Sequence, residues 1–139
     1  MRVFKDIDIA GSSLTAHRVM MDTISENLAN VNTTRTEEGG PYRRKIPVFE
    51  ERLQSVMGKE AEPAGVVVKE IDEDDSPPRM EYAPGHPDAD ENGYVAYPHV
   101  SVVREMADMM SASRAYEANL EVVQAARSMW ESATDLLKA

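Results

Sequence analysis

The sequence predicts a mainly α protein with a small β insert: two long terminal helices form an antiparallel coiled-coil hairpin, with a short β-rich middle segment at one tip. Two observations lead to this fold class. In both end segments apolar residues recur at alternating spacings of three and four, as in helices that pack along one face. All 8 prolines lie between residues 33 and 98, where they exclude a long helix. We therefore divide the chain into a discontinuous helical assembly domain, residues 1–32 and 99–139, and a β-rich, acidic insert, residues 33–98.

The first helix is predicted over residues 3–32. Its apolar stripe is expected to face the second helix, because an amphipathic helix buries its apolar face against a partner. The residues predicted to form the seam on this helix are Ile7, Leu14, Met21, Ile24, Leu28 and Val31.

The second helix is predicted over residues 99–138 and carries two apolar faces. The large residues of the predicted seam are Met109, Tyr116, Leu120, Val123, Trp130 and Leu137. The other face is rich in alanine, and we expect it to contact neighbouring subunits through Ala112, Ala115, Asn119 and Ala126. One helix of the same chain can cover only one face, so the second face predicts an assembly.

The insert is predicted to contain four short strands, at residues 45–50, 65–71, 79–83 and 94–97. The run "VVVKEIDEDDSPPRMEYA", residues 66–83, has the pattern of a β-hairpin with an acidic, proline-containing turn. Pro47 is expected to restrict the first strand to an edge of the sheet. A sheet this small buries little apolar surface by itself.

The segment "DADENG", Asp88 to Gly93, matches the first half of a calcium-binding loop. The twelfth position of that loop requires a bidentate glutamate, and this chain has His99 there. An acidic turn in which Asx side chains bond their own backbone is therefore the favoured interpretation. A metal cluster of His86, Asp88 and His99 has no regular ligand spacing and is not favoured. We predict no metal, no cofactor, no catalytic residue and no small-molecule substrate.

The formal charge of −10 is concentrated in the insert and argues against binding nucleic acid or an anionic membrane surface. No apolar run approaches the roughly 20 residues of a membrane span. There is no cysteine, which excludes disulfides and thiolate zinc sites. The one basic cluster, residues 42–45, contains Arg43 and Arg44, which either meet acidic residues of another subunit or form a solvated face. Asn27 and Asn30 are expected to contact other subunits, with local capping of the helix end as the alternative.

Three stretches carry a resemblance to a known family: "NLANVNTTRTEEGGPYRRK" (27–45), "GYVAYPHVSVVREMADMM" (93–110) and "SASRAYEANLEVVQAARSM" (111–129). They resemble the bacterial flagellar basal-body rod proteins, and among them the short proximal rod proteins. Many rod and hook proteins continue the asparagine-rich helix end with a Thr-Pro-Gly-aromatic turn, whereas this chain reaches Gly-Gly-Pro-Tyr at residues 39–42.

The resemblance implies a non-enzymatic subunit of a hollow helical tube that transmits torque and conducts exported subunits. It implies contacts with other rod proteins, with copies of itself, and with the inner-membrane ring and export gate at the rod base. It also implies a location in the periplasm-spanning rod of the basal body, reached by export without a cleaved signal peptide. A small calcium-responsive module or a coiled-coil adaptor outside the flagellum is the alternative.

Overall fold

A computed structural model describes residues 2–54 and 62–136. The element order is α1 (Arg2–Ala29), β1 (Lys45–Gln54), β2 (Glu62–Glu73), β3 (Arg79–Tyr82), β4 (Tyr94–Tyr97) and α2 (Val102–Leu136). Two long helices with small antiparallel strands between them are therefore confirmed. At 1.5 Å per residue, α1 is about 42 Å long and α2 about 52 Å long. Neither described helix contains an apolar stretch long enough to cross a membrane.

Both helices are shorter than predicted at the ends that face the insert. α1 ends at Ala29, and residues 30–32 form a turn in which the Thr33 amide donates to the carbonyl of Asn30. α2 begins at Val102 after Pro98, which cannot donate to a helical ladder. The carbonyl of Ser101 accepts the first helical bond, from the amide of Glu105, so serine occupies the N-cap position that it favours.

The strands pair differently from the prediction. The predicted hairpin between residues 65–71 and 79–83 is wrong, because β2 pairs with β1 and β3 pairs with β4, both antiparallel. In the first sheet Lys45 lies opposite Glu73, with irregularities near Val48 and Glu51. The acidic turn lies between the two sheets instead of inside one, since Pro77 and Pro78 lack the amide hydrogens that a continuing ladder needs.

The β1–β2 hairpin lies lengthwise along α1, so the expectation of an insert confined to one tip is wrong for this hairpin. At one end the side chain of Asn27 bonds the backbone of Lys45, and at the other end the Val66 amide donates to Ser12 Oγ. A strand of 10 residues spans about 33 Å, so it can follow most of α1. A two-stranded sheet is only marginally stable alone, and α1 provides the surface against which it packs.

α1 thus packs against α2 on one side and against the β1–β2 hairpin on another. The inward side of α2 alternates small and larger residues: Ala112 and Ala126 are buried, and Met109, Tyr116 and Val123 are half-buried. Four alanines on the two helices are buried: Ala10, Ala16, Ala112 and Ala126. Short side chains at these positions let neighbouring elements approach closely.

Candidate functional site

The asparagine-rich end of α1 forms the centre of a buried polar cluster. Asn27 is 1% exposed and makes four hydrogen bonds. Its Nδ2 donates to the carbonyl of Lys45 at 2.9 Å and to Glu105 Oε2 at 3.1 Å. Its Oδ1 accepts from the Lys45 amide at 2.8 Å and from the Tyr42 hydroxyl at 2.9 Å. Because a side-chain amide has two donor hydrogens and two acceptor lone pairs, Asn27 is fully satisfied inside its own chain.

Glu105 is the fully buried charge of this cluster, with 0% exposure. Its Oε1 accepts from Arg44 Nε at 2.6 Å, and the same guanidinium lies 3.9 Å from Asp108 Oδ2. A buried carboxylate is costly unless it is paired and hydrogen-bonded, and here both of its oxygens have partners. We call the cluster of Asn27, Tyr42, Arg44 and Glu105 the polar joint. It links α1, the segment that enters β1, and α2.

Tyr42 closes one side of the polar joint. Its hydroxyl donates to Asn27, and its amide donates to the carbonyl of Thr33. Burial of the phenol, followed by the negative charges of Glu26, Glu105 and Glu73, raises the pKa of Tyr42 from its usual 10.0 to about 12. Each of these causes disfavours the phenolate, so the hydroxyl stays protonated and remains a donor to Asn27.

Tyr42→Phe is expected to reduce the alkaline sensitivity of the fold. Because the folded-state pKa lies above the unfolded one, the stabilisation by Tyr42 is complete below pH 10 and is lost as pH rises towards 12. The variant should cost about 1 kcal/mol at pH 8, from one lost hydrogen bond, and should lose less stability than the parent between pH 10 and 12. Urea unfolding at several pH values measures this difference. Tyr82→Phe, at an exposed tyrosine, is the control, and parallel pH profiles for parent and Tyr42→Phe would contradict the prediction.

The second feature of functional interest is the exposed apolar surface of α2. Val122, Met129 and Leu136 recur every seven residues and are 51%, 62% and 81% exposed, and we call them the outer row. Val103, Met106 and Met110 form another exposed group near the start of the helix. The outer row and this group flank the contact with α1 on opposite sides in a heptad projection. α2 therefore presents apolar surface that α1 does not cover.

The predicted seam residues have mixed positions. Ile24 is buried, whereas Leu120 and Trp130 are exposed. Leu137 lies outside the described residues. The remaining seam residues are half-buried: Ile7, Leu14, Met21, Leu28, Val31, Met109, Tyr116 and Val123. On α2 the positions turned inward follow a spacing of four and three that starts at a charged residue: Glu105, Met109, Ala112, Tyr116, Asn119, Val123 and Ala126.

The residues predicted to contact other subunits are also divided. Asn27, Ala112 and Ala126 are buried within the chain, so they could reach a neighbour only if this conformation opened. Arg43 is exposed, and its Nη1 lies 3.2 Å from Oδ1 of Asp75 in the same chain, so it remains accessible to a neighbour. Arg44, in contrast, belongs to the polar joint. Ala115 and Asn119 are half-buried, and Asn119 donates to the carbonyl of Ala115.

Asn30 makes the local contacts of a helix end. Its Nδ2 donates to the carbonyl of Glu26, and its Oδ1 accepts from the Thr33 hydroxyl. These bonds correspond to the alternative of local capping. A contact of Asn30 with another subunit stays a prediction.

Sequence reasoning did not identify Glu105 or Tyr42 as parts of a site. For Glu105 a usable signal was present, because it starts the four-and-three spacing that contains every buried residue of α2. A charged residue at the start of an apolar seam can mark a buried pair. Tyr42 carries no comparable signal, since its partners are brought together only by the turn after α1.

The "DADENG" segment forms an acidic turn, as the favoured interpretation predicted. The carboxylate of Asp90 accepts from the amides of Asn92 and Tyr94, and Asp88 accepts from the Thr34 hydroxyl. These bonds, of which the two to Asp90 are local Asx bonds, use side-chain oxygens that a calcium ion would require. Across residues 2–54 and 62–136 there is no group of three or more His, Asp or Glu side chains placed to hold a metal ion.

Two family models match the chain. "Flagella basal body rod protein" matches residues 7–35, and "Flagellar basal body rod FlgEFG protein C-terminal" matches residues 91–136. The first segment contains Asn27 and the second contains Glu105, so the two helical arms of the polar joint lie within the matched segments.

Similar full-length proteins are named flagellar basal-body rod protein FlgC. The protein of Borreliella burgdorferi is 43% identical to this chain, over 99% of each. The chain belongs to the FlgC family of flagellar basal-body rod proteins. The FlgC protein of Bacillus subtilis is 38% identical, over 99% of this chain and 100% of the relative, and that of Agrobacterium fabrum is 44% identical, over 94% and 92%.

Membership in the FlgC family makes this chain a structural protein of the flagellar basal body and not an enzyme. It disfavours the calcium-responsive module and the separate coiled-coil adaptor. Its site is accordingly a set of packing surfaces: the polar joint inside the chain and the exposed apolar residues of α2.

Proposed function

We propose that this chain is a subunit of the proximal part of the flagellar rod, where it packs with copies of itself and with other rod proteins into a hollow helical tube. The exposed apolar surface of α2 is the observation that carries this proposal. A helix that is apolar beyond the width of one contact requires a second partner to cover it. Helices of neighbouring subunits can cover it, and the wall that results transmits torque and leaves a central channel for exported subunits.

Within each subunit, α1 and α2 pack antiparallel as a coiled-coil hairpin. The contact between Asn27, near the end of α1, and Glu105, near the start of α2, supports this arrangement, because it joins the two ends that an antiparallel pair brings together. α2 is also about 10 Å longer than α1, which leaves part of its length for contacts with other subunits.

The location and further partners of the chain follow from the same proposal. The chain reaches the periplasm-spanning rod by export without a cleaved signal peptide. At the rod base it meets components of the inner-membrane ring and the export gate. Arg43, accessible beside the polar joint, is a candidate contact with these neighbours.

The double variant Val122→Asp/Met129→Asp tests the proposal. Two carboxylates on the outer row should abolish swimming, because charge buried without a partner in a subunit interface is strongly unfavourable. The variant chain should still accumulate, since both residues are exposed in the separate chain. The measurement is swimming in soft agar and the amount of the chain in isolated basal bodies, in a strain that carries only the variant gene.

A matched control is Gln124→Asp/Ser128→Asp, which adds the same two charges at exposed polar positions of the same helix. It should swim like the parent. Normal swimming and normal basal bodies with the outer-row variant would overturn the proposal that this face is covered in the rod.

A further inference from the structure

We propose that the polar joint is a register lock: Asn27 and Glu105 determine the axial position of α2 along α1, and thereby which apolar residues of α2 are presented to neighbours. The second half of this inference rests on the proposed function. Asn27 and Glu105 would then be specificity-determining residues for subunit packing, although both are buried within their own chain.

The apolar residues on the inward side of α2 repeat every seven residues, so they alone do not select a single register. On α2 the same heptad position is occupied in turn by Glu105, Ala112, Asn119 and Ala126. A slip of one heptad would move α2 by about 10 Å, and the alternate inward position, which holds Met109, Tyr116 and Val123, would again carry apolar residues. Hydrophobic contacts are non-directional, so many of them could form again after such a slip.

The polar joint selects one register, because the partners of Glu105 lie at only one axial position along α1. In a slipped register Glu105 would lose both Arg44 and Asn27, and a buried carboxylate without partners is strongly unfavourable. A single buried polar residue is known to specify register in coiled coils, at some cost in stability. Here the polar pair serves that purpose within one chain.

The polar joint also fixes the β1–β2 hairpin to the same height. Asn27 bonds both peptide groups of Lys45, the first residue of β1, and Glu105 bonds the adjacent Arg44. At the far end Ser12 Oγ accepts from the Val66 amide. The polar joint is therefore the place where the hairpin, α1 and α2 are all bonded to one another. A slip of α2 would displace the outer row by about 10 Å relative to the hairpin.

The test compares the parent with the triple variant Asn27→Leu/Arg44→Met/Glu105→Leu, which makes the joint apolar. The chain has no cysteine, so spin labels can be attached at cysteines introduced at Ser25 on α1 and Glu117 on α2, both exposed. Distances are measured by pulsed electron spin resonance on the full chain, under conditions in which circular dichroism shows both helices formed. The parent should give one narrow distance distribution, and the triple variant should give a broad or multiple one.

A second variant moves the lock instead of removing it. Glu105→Ala/Ala112→Glu places the carboxylate one heptad later on α2, so that it meets Asn27 and Arg44 only if the helix slips. The distance distribution should shift to a new narrow peak, displaced in accordance with an axial movement of about 10 Å. Arg127→Ala, at an exposed ion pair, is the control and should keep the parental distance.

Three results would overturn the register lock. The first is a triple variant that is folded and keeps the single parental distance. The second is a triple variant that loses its helical signal, which would show that the joint is needed for folding and not for register. The third is a relocated variant that keeps the parental peak. None of these measurements involves the rod, so failure of the lock is distinguishable from failure of the proposed function, which the swimming assay tests.

Discussion

Glu105→Ala is expected to destabilise the folded chain by about 3–5 kcal/mol, a large part of the stability of a small domain. The substitution removes one member of a buried ion pair and leaves the Arg44 guanidinium, which is only 19% exposed, without its 2.6 Å partner. It also leaves one donor hydrogen of Asn27 unpaired in the interior. Urea unfolding followed by far-UV circular dichroism, which reports secondary structure, measures the loss.

The matched control is Glu131→Ala on the same helix. Glu131 also pairs with an arginine, Arg127 at 2.9 Å, but both side chains are well exposed, so the expected loss is below about 0.5 kcal/mol. Glu105→Gln should fall between the two, because it removes the charge but keeps the shape of the side chain. If Glu105→Ala and Glu131→Ala lowered the free energy of unfolding equally, burial would not determine how much the polar joint contributes to stability.

Gly65→Ala is the second substitution with a large expected effect. Gly65 has a φ angle of +118°, a backbone conformation that residues with a side chain rarely adopt. A Cβ atom at this position would lie 2.1 Å from Ser12 Oγ and 3.0 Å from Ser12 Cβ. Backbone strain and overpacking together should cost about 3 kcal/mol and should loosen the hairpin from α1. Urea unfolding measures the cost, and faster hydrogen exchange at the Val66 amide reports the loosened contact.

Gly40→Ala separates the two contributions. Gly40 also has a positive φ, +80°, but no heavy atom lies within 4 Å of the position of its Cβ. The substitution should therefore cost only about 1–2 kcal/mol, the cost of the left-handed backbone conformation. If Gly65→Ala lowers the free energy of unfolding no more than Gly40→Ala does, the close approach between β2 and Ser12 does not contribute to the effect.

The helices could be predicted from sequence because their signal is local. Apolar spacing and the confinement of proline to residues 33–98 depend on neighbours within a few turns of the same helix. Both predicted ends were still three residues too far at the insert side, since Ser101 and the turn after Ala29 stop the helices by capping contacts. Strand positions were also local signals, and residues 94–97 were predicted with the observed boundaries.

Strand pairing could not be predicted in the same way. Adjacent strands β2 and β3 were expected to pair, yet each pairs with a strand on its other side. The pairing depends on where the chain is held after α1. Asn27 fixes the start of β1, and α1 then supports β1 and β2 along its length.

The sequence by itself determined the class of this protein: two amphipathic end helices, an acidic β insert between them, apolar surface that one helix cannot cover, and the stretches that mark a rod protein. The tertiary structure alone decided the role of "NLAN". The asparagine at position 27 bonds Tyr42, Lys45 and Glu105, which are 15, 18 and 78 residues away along the chain. Hydrogen bonds over such separations leave no periodic trace in the sequence, because each partner need be correct only at one point in space.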